Sequence, residues 1–227
     1  MQSVSADEFV GAVADGFAAR AVAERAPQMQ RYMRNIAPFL GVATTDRRAV
    51  VTDVLRHVGT PESIEAVCAA LYQRQEREFH YAAWDLCTRP TVLRALTIHD
   101  VRWLTPFIGC VPWWDTVDYL VPRVIGWIFK RAPQHLESQC KTWIEMDNTW
   151  YQRAAIIVQL GWKEHTQFEL LAELVVRRAN SKEFFVRKGA GWALREYSKT
   201  NPVAVRRFLD AHPELNSLTL REAGKYC

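Results

Sequence analysis

The chain has 227 residues, a formal net charge of +4 and an apolar fraction of 49%, values typical of a soluble globular protein. It contains no run of about 18 or more apolar residues, and its first ten residues carry Asp7 and Glu8 rather than a basic cluster before an apolar run. We therefore expect neither a membrane span nor a secretory signal, and we expect a cytoplasmic location.

The charge is unevenly placed. Residues 1–110 hold twelve Lys/Arg and twelve Asp/Glu, whereas residues 111–227 hold seventeen and thirteen. A basic C-terminal half fits a polyanionic partner, although an ordinary solvated surface gives the same balance. The five cysteines and six histidines are scattered, with neither a Cys-x-x-Cys pair nor a His-Glu-x-x-His string, so we predict no metal and no cofactor.

Capping signals mark the starts of predicted helices in chain order. Ser5 to Glu8 is a capping box before an alanine-rich amphipathic segment. Thr60-Pro61-Glu62 and Asn201-Pro202 each place an N-cap residue before a proline suited to the first helical position. Thr97 to Asp100 is a variant of the capping box. Since no period-two alternation flanked by tight-turn signals occurs, we predict an all-α fold.

Three predicted helices share an order of residue types, in which an aromatic residue precedes basic or polar residues and then small, apolar ones. They span residues 79–84, 150–156 and 185–192. Arg153 and Arg187 lie 34 residues apart, a spacing that suits stacked helical pairs, each too small to bury its own apolar face. Such arrays present a concave surface that can follow a duplex. The spacing alone does not establish a repeat array, because ordinary helical hairpins give similar spacings.

A carboxylate and an aromatic ring are predicted on one helix face near residue 112. Pro112 favours a helix start, so Trp114 and Asp118, four residues apart, project on the same side. A carboxylate beside an aromatic wall is a receptor for positive charge. The alternative is a packing tryptophan and a surface acid.

Arg153 is followed by small and apolar residues, which indicates a guanidinium at the edge of a packed helix. It is suited to pairing with a carboxylate of the adjacent repeat or to gripping a phosphate. Beside Asp118, it would keep that carboxylate ionised at neutral pH. A surface arginine is the alternative.

The helix predicted over residues 184–197 carries two glycines, each costing about 1 kcal/mol relative to alanine. The cost is tolerable where another backbone comes close. Arg187, Lys188 and Arg195 would supply phosphate contacts around Trp192. The alternative is a tightly packed terminal repeat with a solvated basic face.

Four stretches together resemble the DNA alkylation repair family of HEAT-like repeat glycosylases, the AlkD type. They are residues 32–41, 113–118, 150–156 and 181–202, in the family's order. Trp-Trp-Asp-Thr-Val-Asp and Gly-Trp-Ala-Leu-Arg-Glu-Tyr are the specific strings among them. The resemblance implies one domain over residues 1–227, an α-helical HEAT-like repeat solenoid whose concave DNA-binding face holds a duplex without flipping the damaged base into a pocket.

The resemblance also implies roles for individual residues. Asp118 corresponds to the catalytic carboxylate and Arg153 to the catalytic-site arginine, with Trp114 and Trp192 as aromatic walls around the lesion. The residues that it assigns to DNA binding are Tyr32, Arg34, Asn35, Arg187, Lys188 and Arg195. Two positions that bear on the DNA contacts depart from the pattern: Gly189, where bulkier apolar residues are usual, and Gly161, where a basic residue is expected.

The implied function is hydrolysis of the N-glycosidic bond of cationic alkylated purines, such as 3-methyladenine and 7-methylguanine, in duplex DNA. We expect a monomer located in the cytoplasm with the nucleoid. Two alternatives stay open: a non-catalytic solenoid that recognises distorted or branched duplexes, and a protein-interaction scaffold. Asp118 with its flanking Trp114 favours the enzyme.

Overall fold

The computed structural model describes residues 3–226, in which regular structure is almost entirely helical. The exception is a parallel pair of two-residue strands, β1 (Ser3–Val4) and β2 (Thr60–Pro61). The prediction of an all-α fold is confirmed. Contacts within the chain divide it into two compact units, residues 1–95 and 96–227. A single domain and a concave DNA-binding face stay predictions.

The first unit begins with a capped helix, as the sequence predicts. Ser5 Oγ accepts the backbone N–H of Glu8 at 3.2 Å and so satisfies one of the unpaired donors at the helix start. The helices of this unit are α1 (Ala6–Ala18), α2 (Ala26–Tyr32), α3 (Thr44–His57), α4 (Ile64–Tyr72), α5 (Arg77–Cys87) and α6 (Pro90–Ala95).

The helix start predicted at Thr60-Pro61 is wrong. These residues form β2, and Glu62 donates its backbone N–H to the Val4 carbonyl at 3.0 Å. Their backbone is therefore extended rather than helical. Helix α4 begins three residues later than predicted, after Ser63, whose Oγ accepts the N–H of Ala66 at 3.1 Å.

A buried carboxylate organises the loop that follows α2. Glu78 on α5 accepts the backbone N–H groups of Leu40, Gly41 and Val42 at 2.9–3.1 Å. Gly41 has a φ of +84°, and a Cβ there would lie 2.1 Å from the carbonyl oxygen of Val22. Gly41 is thus required by backbone conformation and by close packing.

Most helices of the second unit are short. Thr97 donates its backbone N–H to the Asp100 carboxylate at 2.7 Å, and Asn201 Oδ1 accepts the N–H of Ala204 at 3.0 Å, so both predicted caps are confirmed. The helices are α7 (Val101–Leu104), α8 (Trp114–Leu120), α9 (Gly126–Arg131), α10 (Leu136–Glu145), α11 (Thr149–Ile157), α12 (Phe168–Arg177), α13 (Phe184–Ser198), α14 (Pro202–Ala211) and α15 (Ser217–Ala223).

A π-helical segment, Val121–Ile125, joins α8 to α9. Pro122 lacks a backbone N–H and cannot bond the carbonyl of Asp118 four residues earlier, which accounts for a break in the α-helical pattern at this point. A Cβ on Gly126 would lie 2.2 Å from the Val158 carbonyl oxygen, so α9 meets the end of α11 at close range. The π-helical segment and this close approach together set where the chain runs from α8 past the end of α11.

The described residues 3–226 lack two kinds of feature. None of their helices combines the length and the apolar character needed to cross a membrane. No group of three or more His, Cys, Asp and Glu side chains among them is arranged to hold a metal ion.

Cys68 and Cys87 are buried free thiols with their sulfurs 3.6 Å apart.

Candidate active site

The centre of the site is an ion pair between Asp118 on α8 and Arg153 on α11. Arg153 Nε donates to Oδ1 and Nη2 donates to Oδ2, each at 2.7 Å. The arginine side chain is 4% exposed and the aspartate side chain 16%. Among the roles that the sequence leaves open for Arg153, the structure assigns it the carboxylate partner, in the bidentate geometry that suits guanidinium groups.

Helix α13 holds the other side of Arg153. Its Nη1 donates to the Phe185 carbonyl at 2.5 Å, and its guanidinium carbon lies 5.8 Å from the centre of the Trp192 ring. A Cβ on Gly189 would lie 3.0 Å from Nη1. Gly189, which departs from the family pattern, is therefore buried against Arg153 and makes room for it.

Burial raises the pKa of Asp118 above its ordinary value. The hydrogen bonds and positive charge of Arg153 lower this pKa, and the negative charge of Asp115 raises it further. Arg153 thus acts in the predicted direction, but the loss of hydration outweighs it. A carboxylate with a raised pKa is a stronger proton acceptor than an exposed one.

Asp118 opens onto a cleft of about 290 Å³. Trp192 and Glu196, one turn apart on α13, form one wall, so the predicted Trp192 lies beside both members of the ion pair. Gly161 has a φ of +80°, and a Cβ added to it would meet no atom within 4 Å. It therefore faces open space at the cleft. The lining residues are Asp118, Pro122, Arg123, Leu160, Gly161, Trp192 and Glu196.

The two adjacent tryptophans of α8 have different surroundings. Trp114 is the first residue of the helix, is half-buried, and lies one turn before Asp118. It is not among the residues that line the cleft, so its role as an aromatic wall stays a prediction. Trp113 instead packs against Trp150 and Phe185, with ring centres 5.7 and 5.1 Å apart. This aromatic cluster holds Phe185, whose carbonyl binds Arg153. The sequence showed Phe185 only as the aromatic residue of a repeat pattern, so its part in the site was missed.

Two of the predicted DNA-binding cations are in ion pairs with one buried carboxylate. Lys188 Nζ lies 2.8 Å and Arg195 Nη1 2.5 Å from Glu222 on α15, and Lys225 Nζ lies 3.0 Å away. The hydrogen bonds and charges of Lys188 and Lys225 lower the pKa of Glu222 to about 2. The sequence around Glu222 carries no signal of this role, because the three cations are spread over two elements.

The remaining predicted DNA contacts lie on surfaces of the two units. In the second unit, Arg187 donates to the Lys182 carbonyl. In the first, Tyr32 is 72% exposed at the end of α2, and Arg34 and Asn35 are exposed with φ values of 59° and 57°. The roles of these four residues in DNA binding stay predictions.

Comparisons with known proteins agree with this fold. The sequence model of the family described as DNA alkylation repair enzyme matches residues 13–227. A solved structure, a predicted DNA alkylation repair enzyme from Enterococcus faecalis, is 30% identical, with a TM-score of 0.83 over 91% of this chain and 96% of that one.

More distant solved structures share the fold. AlkD2 from Streptococcus mutans is 16% identical, with a TM-score of 0.61 over 81% of this chain and 90% of its own. The smu.31 protein from Streptococcus mutans is also 16% identical, with a TM-score of 0.60 over 80% of this chain and 92% of its own. No curated protein matches the sequence. The structural likeness confirms the predicted all-α, helical-repeat fold class.

Proposed function

Because the chain belongs to the DNA alkylation repair enzyme family, we propose that it is a DNA glycosylase that removes cationic alkylated purines from duplex DNA. Family membership confirms the resemblance seen in the sequence and makes DNA the partner. The observation that carries the finer proposal is the largely buried pair of Asp118 and Arg153, placed beside Trp192 at an open cleft.

The choice of substrate follows from the family resemblance, which implies one catalytic carboxylate, Asp118. Alkylation at N3 of adenine or N7 of guanine makes the base cationic, so it can leave without being protonated first. The bonding electrons of the N-glycosidic bond go to the base and neutralise it, while positive charge develops at C1′ of the sugar. A second carboxyl group acting as an acid, as most glycosidases use, is unnecessary.

Asp118 acts on the charge that develops at the sugar. At an effective dielectric constant of about 20, two charges 4 Å apart attract by about 4 kcal/mol before desolvation costs, which sets an upper bound of roughly a thousandfold in rate. Each Asp118 oxygen accepts one N–H from Arg153 and keeps a lone pair for a water molecule. The water oxygen bonds to C1′ as the base departs, and its proton passes to Asp118, whose raised pKa suits it to accept the proton.

The aromatic walls hold the reacting nucleotide. Trp114 and Trp192 make cation–π or C–H contacts with the sugar, worth about 0.5–2 kcal/mol each. As the family resemblance implies, the base stays outside any protein pocket during the reaction. A monomeric state and a location in the cytoplasm with the nucleoid stay predictions.

The test is release of 7-methylguanine from methylated duplex DNA by wild type and by Asp118→Asn. We expect the substitution to abolish release nearly completely and to leave the duplex Kd within about threefold, because most of the interaction with Asp118 develops in the transition state. Asp115→Asn, which removes a charge from the same helix, is the matched control and is expected to keep activity at neutral pH.

Two results would overturn the proposal. Undiminished release by Asp118→Asn would remove the carboxylate from the mechanism. Failure of the wild type to release any base, together with tight binding of branched or distorted duplexes, would favour the non-catalytic alternative.

A further inference from the structure

We propose that Arg123 binds a backbone phosphate adjacent to the lesion nucleotide. This inference rests on the proposed function and adds a DNA contact that the sequence did not assign. It starts from the charges of the cleft. Of the residues that line it, Asp118 and Glu196 are carboxylates, and Arg123 is the cation.

A nucleotide placed for reaction brings negative charge to this cleft. Its phosphates are attached to the same sugar whose C1′ must face Asp118, so they approach a carboxylate and need a neighbouring cation. Arg153 is 4% exposed and directs its donors to Asp118 and to the Phe185 carbonyl. Glu196 is paired with Lys199 at 2.6 Å. Arg123 is therefore the cationic residue of the cleft lining that can bind a phosphate.

The surroundings of Arg123 suit this task. It is exposed, and its guanidinium carbon lies 5.0 Å from the centre of the Tyr119 ring. Within residues 3–226, no carboxylate lies within ion-pair distance of it. Stacking on an aromatic face leaves the N–H edge of a guanidinium available for a phosphate and reduces the entropy lost on binding.

The π-helical segment accounts for the position of Arg123. In a regular α-helix, residues five apart point about 140° away from each other, at about 100° per residue. The wider turn of Val121–Ile125 reduces that angle, and Arg123 and Asp118 line the same cleft. Pro122, which interrupts the α-helical hydrogen bonds, thus places a phosphate-binding group near the catalytic carboxylate.

The experiment combines Arg123→Gln with duplexes that carry one neutral linkage. Each duplex contains a tetrahydrofuran abasic-site analogue and one methylphosphonate at a chosen position beside it. For the wild type, we expect about a tenfold loss of affinity at one of these positions. Arg123→Gln is expected to bind that duplex and its all-phosphate counterpart almost equally, and to flatten the dependence of log K on log[salt] by about 0.9. Arg207→Gln on α14, an exposed arginine outside the cleft, is the control and is expected to keep the wild-type pattern of losses.

The inference is overturned if Arg123→Gln keeps both the wild-type pattern of methylphosphonate losses and the wild-type salt dependence. Its failure is distinguishable from failure of the proposed function. Base release that requires Asp118, without the Arg123 effect, would refute the phosphate contact alone. The Arg123 effect in a protein that releases no 7-methylguanine would refute the glycosylase and leave the contact standing.

Discussion

Arg153 and Asp118 meet through two parallel hydrogen bonds of 2.7 Å, with both side chains largely removed from water. Removal of one partner of such a buried pair commonly costs 3–5 kcal/mol, because it leaves an uncompensated charge. The pair therefore serves two purposes in the proposed enzyme. It joins α8 to α11, and it fixes the direction in which the carboxylate faces the cleft.

The pH dependence of base release tests the electrostatics of this pair. The folded-state pKa of Asp118 lies above its ordinary value of 3.8. As the pH is lowered, the rate is therefore expected to start falling at a higher pH than it would if the catalytic group were an exposed aspartate. This fall is the acid limb of the pH–rate profile. Arg153→Gln removes the contributions that lower this pKa, so it is expected to move the acid limb to still higher pH. The measurement is the single-turnover rate of 7-methylguanine release, corrected for spontaneous depurination.

Asp115→Asn supplies the control of opposite sign. The charge of Asp115 raises the pKa of Asp118, so its neutralisation is expected to move the acid limb to lower pH. Movement of the limb in the same direction by Arg153→Gln and Asp115→Asn would show that Asp118 does not set it.

The two proposed aromatic walls, Trp114 and Trp192, are expected to contribute less than the carboxylate. Trp114→Ala and Trp192→Ala each remove contacts worth about 0.5–2 kcal/mol, so each is expected to slow single-turnover base release by roughly 2- to 30-fold. Trp192→Phe, which keeps an aromatic face beside Arg153, is expected to retain most of the rate. A loss for Trp114→Ala as large as that for Asp118→Asn would contradict this ranking.

The local signals in the sequence predicted the fold class, and three of the four helix starts marked by capping signals are confirmed. Ser5, Thr97 and Asn201 cap as expected, since the donors they satisfy are adjacent in the chain. Thr60-Pro61 failed because its backbone pairs with residues 3–4, a contact between positions far apart in sequence. The local composition at Thr60-Pro61 fits a helix start as well as it fits a strand, and only the tertiary structure distinguishes these two possibilities.

The sequence named Asp118, Arg153 and Trp192, which the structure brings together, but it did not show the contacts that hold them in place. Their roles in catalysis stay predictions. Spacing placed Trp114 and Asp118 on one helix face, and the residues that follow Arg153 indicated that it could pair with a carboxylate. The family resemblance then assigned Arg153 and Trp192 to the site. The roles of Phe185 and Glu222 were missed because each depends on a partner more than 25 residues away, with separations of 32 residues for Phe185 and Arg153 and 27 for Arg195 and Glu222. Every residue has a backbone carbonyl, so the sequence does not show that the carbonyl of Phe185 accepts a hydrogen bond from Arg153.

The two helical glycines Gly191 and Gly11 are expected to respond in opposite ways to alanine. A Cβ on Gly191 would lie 2.5 Å from the Glu222 Cβ and 3.0 Å from the Thr219 carbonyl oxygen, whereas one on Gly11 in α1 meets nothing within 4 Å. Gly11→Ala should therefore raise the free energy of unfolding by about 0.5–1 kcal/mol through helix propensity. Gly191→Ala should lower it, because α13 and α15 must separate. Urea unfolding measures both, and a stabilised Gly191→Ala would refute the close approach.

Glu222 makes the stability of the protein depend on pH in a defined window. Its folded-state pKa of about 2 lies below the ordinary value of 4.5, so the folded state favours the ionised carboxylate. The resulting stabilisation is fully present above about pH 4.5 and is lost as the pH falls toward 2. Glu222→Gln is expected to lower Tm at pH 7 and to flatten the decline of Tm across this window. Glu214→Gln, which removes an exposed carboxylate paired with His212, is the control and should retain most of the decline. If the Tm of Glu222→Gln declines as steeply as that of the wild type, then Glu222 does not account for the decline and its low pKa in the folded state is refuted.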